Sequence, residues 1–283
     1  MFKYNFDGID LNSTISPEIK GIQLLFEDYS IENEQLIPSF FLKDLDKCFT
    51  YAELFLDFIK IQTVESVIIF VSKYGLLGKC FLQDKTKDAF LSGVSEPIDW
   101  ILTHVSSVRM CLRLSELIEN MDVIKIKNYL HNYLFKENDS YIIKVANKEN
   151  INILNLAYFA KLKEAYTAES DFSDEYIINL AKRIRRHIIN INLTGIHVTF
   201  DSVPDISKID MEQKYLVFHS LIELIYWILS DIIFNKKIKT CKYCGDFFIQ
   251  SHGRQSYCPS PSGASSCANK KRYGDFVNKN RRK

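Results

Sequence analysis

The sequence lacks the short motifs that mark many enzymes. It contains no His-Glu-x-x-His pair, no Gly-x-Ser-x-Gly turn and no Gly-Lys-Ser/Thr phosphate loop. The two glycines of the Lys73–Gly78 segment could approach a phosphate, but no lysine–serine pair follows them. An internal repeat and a sustained heptad are also absent. These absences leave the question of catalysis open and favour a function other than catalysis.

A long hydrophobic run without charges is missing as well. The most apolar segment, Tyr215–Phe234, contains Glu223, Asp231 and His219. A charge near the middle of a bilayer costs about 2.5–3.5 kcal/mol, so a buried helix is favoured over a membrane span. The first residues lack the basic start and apolar run of a signal peptide. Three scattered cysteines with apolar neighbours are predicted to be reduced core residues: Cys48, Cys80 and Cys111. We therefore expect a cytoplasmic protein with no membrane partner.

What the sequence does contain is a folded, mainly α body. Hydrophobic residues make up 47% of the 283 residues, which excludes a mainly disordered chain. Three helix starts stand out: the capping box Thr50-x-x-Glu53, the segment Ser95-Glu96-Pro97, and Ser173 followed by two acids. Apolar residues recur at helical spacing after each of them, and again in 123–135 and 151–165. The buried face of the helix after Ser173 is predicted to hold Ile177, Leu180, Ala181, Ile184 and Ile188.

The remaining segments of the body predict one strand, one further helix and one polar break. Residues 196–200 alternate apolar and polar side chains, which indicates a short strand. Residues 211–234 are apolar on nearly all sides and predict the last large helix. The polar stretch 137–150 is a possible internal break. The predicted fold is therefore a helical body with minor short strands over residues 1–235, followed by a small C-terminal module over 236–283.

Four cysteines dominate that module. Two residues separate Cys241 from Cys244, thirteen separate Cys244 from Cys258, and eight separate Cys258 from Cys267. Thiolates at this spacing suit one closed, structural zinc site, which makes them the predicted metal ligands. His252 lies between the cysteines and is an alternative ligand, and ordinary buried cysteines or disulfides are the non-metal alternatives.

The module's local structure can also be predicted. Cys241 and Cys244 are expected on a knuckle between two short strands, with apolar contacts from Phe247, Phe248 and Tyr257. Ser265 or Ser266 is expected to cap a helix that carries Cys267 in its first turn. Tyr273 and Phe276 are expected on the inner face of this helix. Gly274 weakens it, so we expect about two turns and a frayed end over 278–283.

The net charge of +1 hides a strong asymmetry. Residues 236–283 carry 12 Lys or Arg and 2 Asp, a balance of +10. The remaining 24 basic and 33 acidic residues give residues 1–235 a balance of −9. A basic module at the end of an acidic body is typical of a chain that binds a polyanion through that end. A tail that is basic for solubility alone is the alternative.

The module resembles the bacterial CGNR-type zinc finger, which is named for a Cys-Gly-Asn-Arg run at its last metal ligand. Here that run reads Cys267-Ala268-Asn269-Lys270, and Cys241-x-x-Cys244-Gly245 with a following phenylalanine also fits. The resemblance is specific over residues 236–283. It implies a DNA-binding, transcription-regulator-like protein. The candidate nucleic-acid contacts are the basic residues of the module: Arg254, Lys270, Lys271, Arg272, Lys279, Arg281 and Arg282.

Three functions remain open at this stage. The first is a nucleic-acid-binding regulator, with DNA favoured over RNA, whose helical body senses a ligand, binds a protein partner or forms a homodimer. The second is an interaction subunit of a bacterial complex that uses the zinc finger as a docking module. The third and weakest is a helical nuclease, suggested by the Arg183-x-x-x-His187 spacing. Basic residues around this pair, 182–187, are either a second phosphate-binding stripe or a solvated helix face.

Overall fold

The fold is described from a computed structural model. It describes residues 2–3, 14–15, 28–38, 49–78, 95–137, 140–143, 173–193, 197–202, 212–218, 220–235, 238–250, 253–258 and 266–281. The chain forms two compact units, Met1–Leu229 and Ser230–Lys283. The predicted boundary lies at 235/236, a few residues further along the same helix.

Seven helices are described, and they make the protein mainly helical, as predicted. Their bounds are α1 Tyr51–Lys60, α2 Val64–Tyr74, α3 Ile98–Glu119, α4 Val123–Tyr133, α5 Asp174–Asn192, α6 Leu221–Asn235 and α7 Ser266–Arg281. Thr50 caps α1 with both hydrogen bonds of a capping box, because its hydroxyl accepts from Glu53 N and its own N–H donates to the Glu53 carboxylate. Ser173 caps α5 by accepting from Tyr176 N. Both caps confirm the sequence prediction.

The strands are short and form small sheets of two or three strands. Their bounds are β1 Phe2–Lys3, β2 Thr14–Ile15, β3 Tyr29–Glu32, β4 Gln35–Pro38, β5 Phe49–Thr50, β6 Glu96–Pro97, β7 Leu134–Glu137, β8 Ser140–Ile143, β9 His197–Ser202, β10 Glu212–Val217, β11 Ile238–Thr240 and β12 Phe247–Ile249. All described pairings are antiparallel, in the orders β1-β10-β9, β2-β5, β3-β4-β6, β7-β8 and β11-β12. β7 and β8 pair with each other from Leu134↔Ile143 to Glu137↔Ser140, so the start of the predicted polar break lies within a strand pair of the first unit.

The core of the first unit is built around α3. This helix lies against α1, α2, α4 and α5. The predicted buried face of α5 is confirmed, since Ile177, Leu180, Ala181, Ile184 and Ile188 are all buried. α3 also approaches α6, where His104 Nδ1 of α3 lies 3.1 Å from the hydroxyl of Tyr226. Burial of these apolar faces is the main source of stability for a helical body of this kind.

The prediction of a single helix over 211–234 is wrong. Residues 212–217 form β10, which pairs along its whole length with β9, and the helix begins only at Leu221. The Ser220 side chain accepts from Glu223 N at 3.4 Å and Ser220 O accepts from Leu224 N, which sets the helix start. Short apolar runs do not distinguish strand from helix, and here the antiparallel partner decides the conformation.

The helix start at Ser95-Glu96-Pro97 is displaced by one residue. Pro97 is the N-cap of α3 rather than its first helical residue, and it makes no capping side-chain bond. Glu96 and Pro97 form β6 and pair with Leu36 and Gln35 of β4. Glu96 and Pro97 therefore lie in a strand and not in the first turn of the helix.

The loop after α2 binds a carboxylate of the protein itself. Gly75 follows α2 with φ 87° and ψ 178°, a positive φ that favours glycine. In the next residues, Leu77 N and Gly78 N donate to the two oxygens of the Glu96 carboxylate at 2.8 and 2.5 Å. The amide groups that could have approached a phosphate therefore hold an internal carboxyl group.

Several sequence predictions fall on residues outside the described ranges. These are the helix over 151–165, the core assignments of Cys48 and Cys80, and the ligand alternative His252. Cys111 is described, and it is a buried free thiol, as predicted. Among the described residues, no helix is long and apolar enough to cross a membrane.

Candidate metal centre

The first two cysteines of the C-terminal unit lie on a tight knuckle between β11 and β12. The two strands pair in register from Ile238↔Ile249 to Thr240↔Phe247. Cys241 N donates to Asp246 O at 2.8 Å, and Gly245 N donates to Cys241 O at 3.0 Å. Gly245 has φ 80°, which a side chain would disfavour. This turn brings the Cys241 and Cys244 side chains to the same end of the hairpin.

The third and fourth cysteines approach that end from two other segments. Lys242 N donates to Ser256 O at 3.0 Å, which ties the segment before Cys258 to the knuckle. Cys267 is the second residue of α7. The four predicted ligands thus come from one hairpin, one irregular segment and one helix start.

The four sulfur atoms form one compact cluster. All lie within 4.8 Å of one another. The Cys244 and Cys258 sulfurs are 3.9 Å apart, and those of Cys258 and Cys267 are 3.2 Å apart. Tetrahedral coordination with metal–sulfur bonds of about 2.3 Å requires sulfurs about 3.8 Å apart. All four are free thiols, so the cluster is a candidate site for a single metal ion.

The cluster is also part of the apolar core of this unit. Cys241, Phe248 and Cys267 are buried together, and Tyr257 and Cys258 pack against them. The expected contacts of Phe248 and Tyr257 are confirmed, and Phe247 is half-buried. So small a core gives little stability on its own, and modules of this size ordinarily need a metal or a disulfide.

The electrostatics of the cluster favour a bound cation. Burial opposes ionisation of Cys241, but hydrogen bonds from the backbone N–H groups of Cys244, Cys258 and Tyr243 outweigh it and lower its pKa to about 6. Burial raises the pKa of Cys244 to about 11, with a further contribution from the neighbouring sulfurs. Burial and the same neighbours also raise the pKa of Cys258. Four adjacent thiolates repel one another, so a divalent cation is what allows all of them to ionise.

The helix that carries Cys267 is longer than predicted. It runs to Arg281 and continues through Gly274, where we expected it to weaken. Lys270, Lys271 and Arg272 are exposed at three successive positions near its start, and Arg254 is exposed in the turn before Cys258. Lys279 and Arg281 lie within the helix, but their side chains are outside the described part of the structure. Arg282 lies outside the described residues altogether.

One aromatic residue of this helix lies on the face opposite to the one predicted. Tyr273 was expected on the inner face, but its side chain is 72% exposed. Six residues at about 100° per residue place it roughly 240° around the helix from Cys267, so it cannot share the face of that ligand. Tyr243, between the two knuckle cysteines, is also exposed, at 47%. Neither exposure is predicted above, although the angle between Cys267 and Tyr273 along the helix indicates that of Tyr273.

In the first unit, the basic residues of α5 do not form one continuous stripe. Lys182, Arg183 and Arg186 are exposed, but Arg185 is half-buried and donates to Ser115 Oγ at 2.9 Å. His187 is half-buried, and burial lowers its pKa. The exposure of these three residues fits both a solvated helix face and a second phosphate-binding stripe, so both alternatives remain.

Comparison of the chain with known protein families, with curated proteins and with solved structures finds no match. What the chain shows by itself is a mainly helical body and, near its C-terminus, a four-cysteine cluster that is able to hold one metal ion. Its function must be inferred from the chemistry of that cluster and of the side chains around it.

Proposed function

We propose that this chain is a zinc-dependent DNA-binding protein of the transcription-regulator kind, which contacts nucleic acid through its C-terminal unit. One observation carries the proposal. The helix whose second residue is the cluster's Cys267 displays Lys270, Lys271 and Arg272 to solvent on its first turns. A bound metal would therefore fix a strongly basic surface in place.

Zinc is the proposed metal because of the donor set. Four thiolates are soft ligands that suit a tetrahedral zinc ion, and they fill all four of its coordination positions. A zinc ion without an open position has no place for a catalytic water, so its role is structural. Binding would stabilise the small core that contains the same sulfurs.

The charge distribution supports a polyanionic partner. The balance of +10 over residues 236–283 contrasts with −9 over the remainder of the chain. An acidic body repels a nucleic acid and the basic end attracts it, so the end of the chain is steered toward the phosphates. The resemblance of the Cys267-Ala268-Asn269-Lys270 run to the CGNR-type finger of transcription regulators agrees with this partner and favours DNA.

Salt-dependent binding tests the proposal. The full-length, zinc-loaded protein is titrated with mixed-sequence duplex and single-stranded DNA at several salt concentrations. We expect about three to six phosphate contacts, from the number of exposed basic residues available. The affinity should fall with salt at a log–log slope of about −0.9 per phosphate bound on duplex and about −0.7 on a single strand.

Two matched triple variants locate the phosphate-binding residues. Replacing Lys270, Lys271 and Arg272 with alanine should flatten the slope by about one unit for each phosphate that the variant no longer binds. Replacing Lys182, Arg183 and Arg186 with alanine removes the same charge from α5 and should leave the slope unchanged. An equal effect of the α5 variant would assign phosphate binding to the body instead.

The docking alternative gives a different result. A zinc-loaded protein that binds neither duplex nor single-stranded DNA at low salt contradicts the proposal. Retention of a partner protein that depends on Lys270, Lys271 and Arg272 would then assign the same basic surface to an acidic protein face.

A further inference from the structure

Two exposed tyrosines accompany the basic residues of the C-terminal unit. Tyr243 occupies the knuckle between Cys241 and Cys244 and is 47% exposed, and Tyr273 on α7 is 72% exposed. The core of this unit takes up Phe248 and Tyr257 but neither of these rings. Single exposed aromatic residues are ordinary on a protein surface, so their surroundings decide what they mean.

Both rings are placed beside exposed cations on segments anchored by the cluster. Tyr243 follows the exposed Lys242 and directly precedes Cys244 of the cluster. Tyr273 lies three residues after the exposed Lys270, which places the two side chains as neighbours on the surface of α7, and it directly follows the exposed Arg272. Anchored rings lose little conformational freedom on binding, which favours their use as contact surfaces.

A nucleic acid with unpaired bases matches this arrangement. In a duplex the faces of the bases are stacked on one another, and a protein reaches only their edges. In a single strand the faces are accessible, and aromatic side chains stack on them while basic residues hold the phosphates. Alternating aromatic and basic side chains are what such a strand requires.

We propose that Tyr243 and Tyr273 are base-stacking residues and that the C-terminal unit binds a single-stranded segment of nucleic acid. This inference rests on the proposed nucleic-acid function and specifies its substrate. Stacking depends little on base identity, so this interaction selects strand state rather than sequence. The basic residues supply the salt-dependent part of the affinity, and the tyrosines supply a part that does not depend on salt.

The test compares two strands with the same charge. One is a mixed-sequence oligodeoxynucleotide of about sixteen nucleotides, the upper site size of a small single-strand-binding module, and the other is an abasic strand of equal length. The full-length, zinc-loaded protein should bind the strand that carries bases more tightly. Replacing Tyr243 and Tyr273 with alanine should weaken that binding at least about fivefold for each tyrosine, with an unchanged salt slope. Binding to the abasic strand should not change.

Control variants separate stacking from other effects. Phenylalanine at both positions keeps the rings and should restore the affinity. Ile124→Ala removes an exposed apolar side chain from the first unit and should have no effect. Zinc content is measured for every variant, and if Tyr243→Ala loses zinc, Tyr273→Ala on α7 carries the test alone. The same strands made of RNA show which sugar is preferred.

The outcomes distinguish the inference from the proposed function. An alanine variant that binds both strands as the wild type does overturns stacking and leaves nucleic-acid binding intact. Tighter binding to duplex than to the single strand also overturns it. A wild-type protein that binds no strand at low salt contradicts the proposed function itself.

Discussion

At the scale of single residues, Glu96 shows how a buried carboxylate can hold a loop. Its side chain is fully buried, and its two oxygens accept the N–H groups of Leu77 and Gly78. Burial raises the pKa of Glu96 to about 7, although both hydrogen bonds act in the opposite direction. The loop that approaches the start of α6 through Leu77 O and Ile222 N depends on this one group.

We predict that Glu96 makes the first unit less stable as the pH rises toward neutrality. The folded protein holds the proton up to a pH of about 7, whereas the ordinary value for this group is 4.5, so its contribution is fully present below about 4.5 and is lost between 4.5 and 7. The free energy of unfolding should fall over this window by up to about 1.4 kcal/mol per pH unit. Urea unfolding at several pH values measures it.

Glu96→Gln removes this titration and isolates its contribution. The glutamine amide cannot accept both N–H bonds, so the variant should be less stable by about 1–3 kcal/mol. Its deficit relative to the wild type should be largest at acid pH and shrink as the pH rises. Glu175→Gln, which changes an exposed carboxylate, controls for the loss of one negative charge. A deficit that does not vary with pH would contradict the prediction.

The cysteines give a second prediction at this scale. We expect one zinc per chain, because four sulfurs within 4.8 Å of one another can close a tetrahedral site. Replacing Cys258 and Cys267 with alanine should reduce the zinc content to near zero in metal analysis. Cys111→Ala removes a buried thiol far from the cluster in sequence and should keep the full content. Unchanged zinc in the double variant would disprove the site.

At the scale of elements, two glycines of the C-terminal unit should respond oppositely to alanine. A side-chain carbon would meet no atom within 4 Å at either Gly245 or Gly274, so crowding is not the issue. Gly274 lies inside α7, where alanine should stabilise the helix by about 0.5–1 kcal/mol. Gly245 has φ 80°, where alanine should cost about 1–2 kcal/mol.

The midpoint of zinc loss to a chelator measures both changes. It should move to higher chelator concentration for Gly274→Ala and to lower concentration for Gly245→Ala. Equal shifts in the two variants would show that backbone conformation does not control the stability of this unit.

The elements also show which parts of the structure the sequence could predict. Thr50 and Ser173 act through hydrogen bonds within their own first turns, so their helix starts could be predicted. Residues 212–217 could not, because their conformation depends on β9, which is a partner elsewhere in the chain. The cysteine knuckle followed from local spacing, whereas the length of α7 did not, since propensity at Gly274 is a weak guide to where a helix ends.

At the scale of the whole molecule, the two units should respond differently to a chelator. The first unit contains α1–α5 and most of α6 and has its own buried core, while the core of the second unit includes the metal-site sulfurs. Removing the metal should abolish the contribution of α7 and leave most of the helical circular dichroism. Collapse of the whole helical signal would show instead that the metal site is required for the body to fold.

The overlap of ligands and core has a further consequence for how the second unit behaves. Cys241 and Cys267 belong to its small core and Cys258 packs against it, so with zinc bound as proposed, release of the ion and opening of the core would be a single reaction. The free energy of unfolding of this unit would then rise with the free zinc concentration, by RT ln(1 + [Zn]/Kd). Under the proposed function, the fraction of protein bound to nucleic acid would fall when zinc is scarce. The unit that carries the basic helix would then unfold, while the acidic body would stay folded.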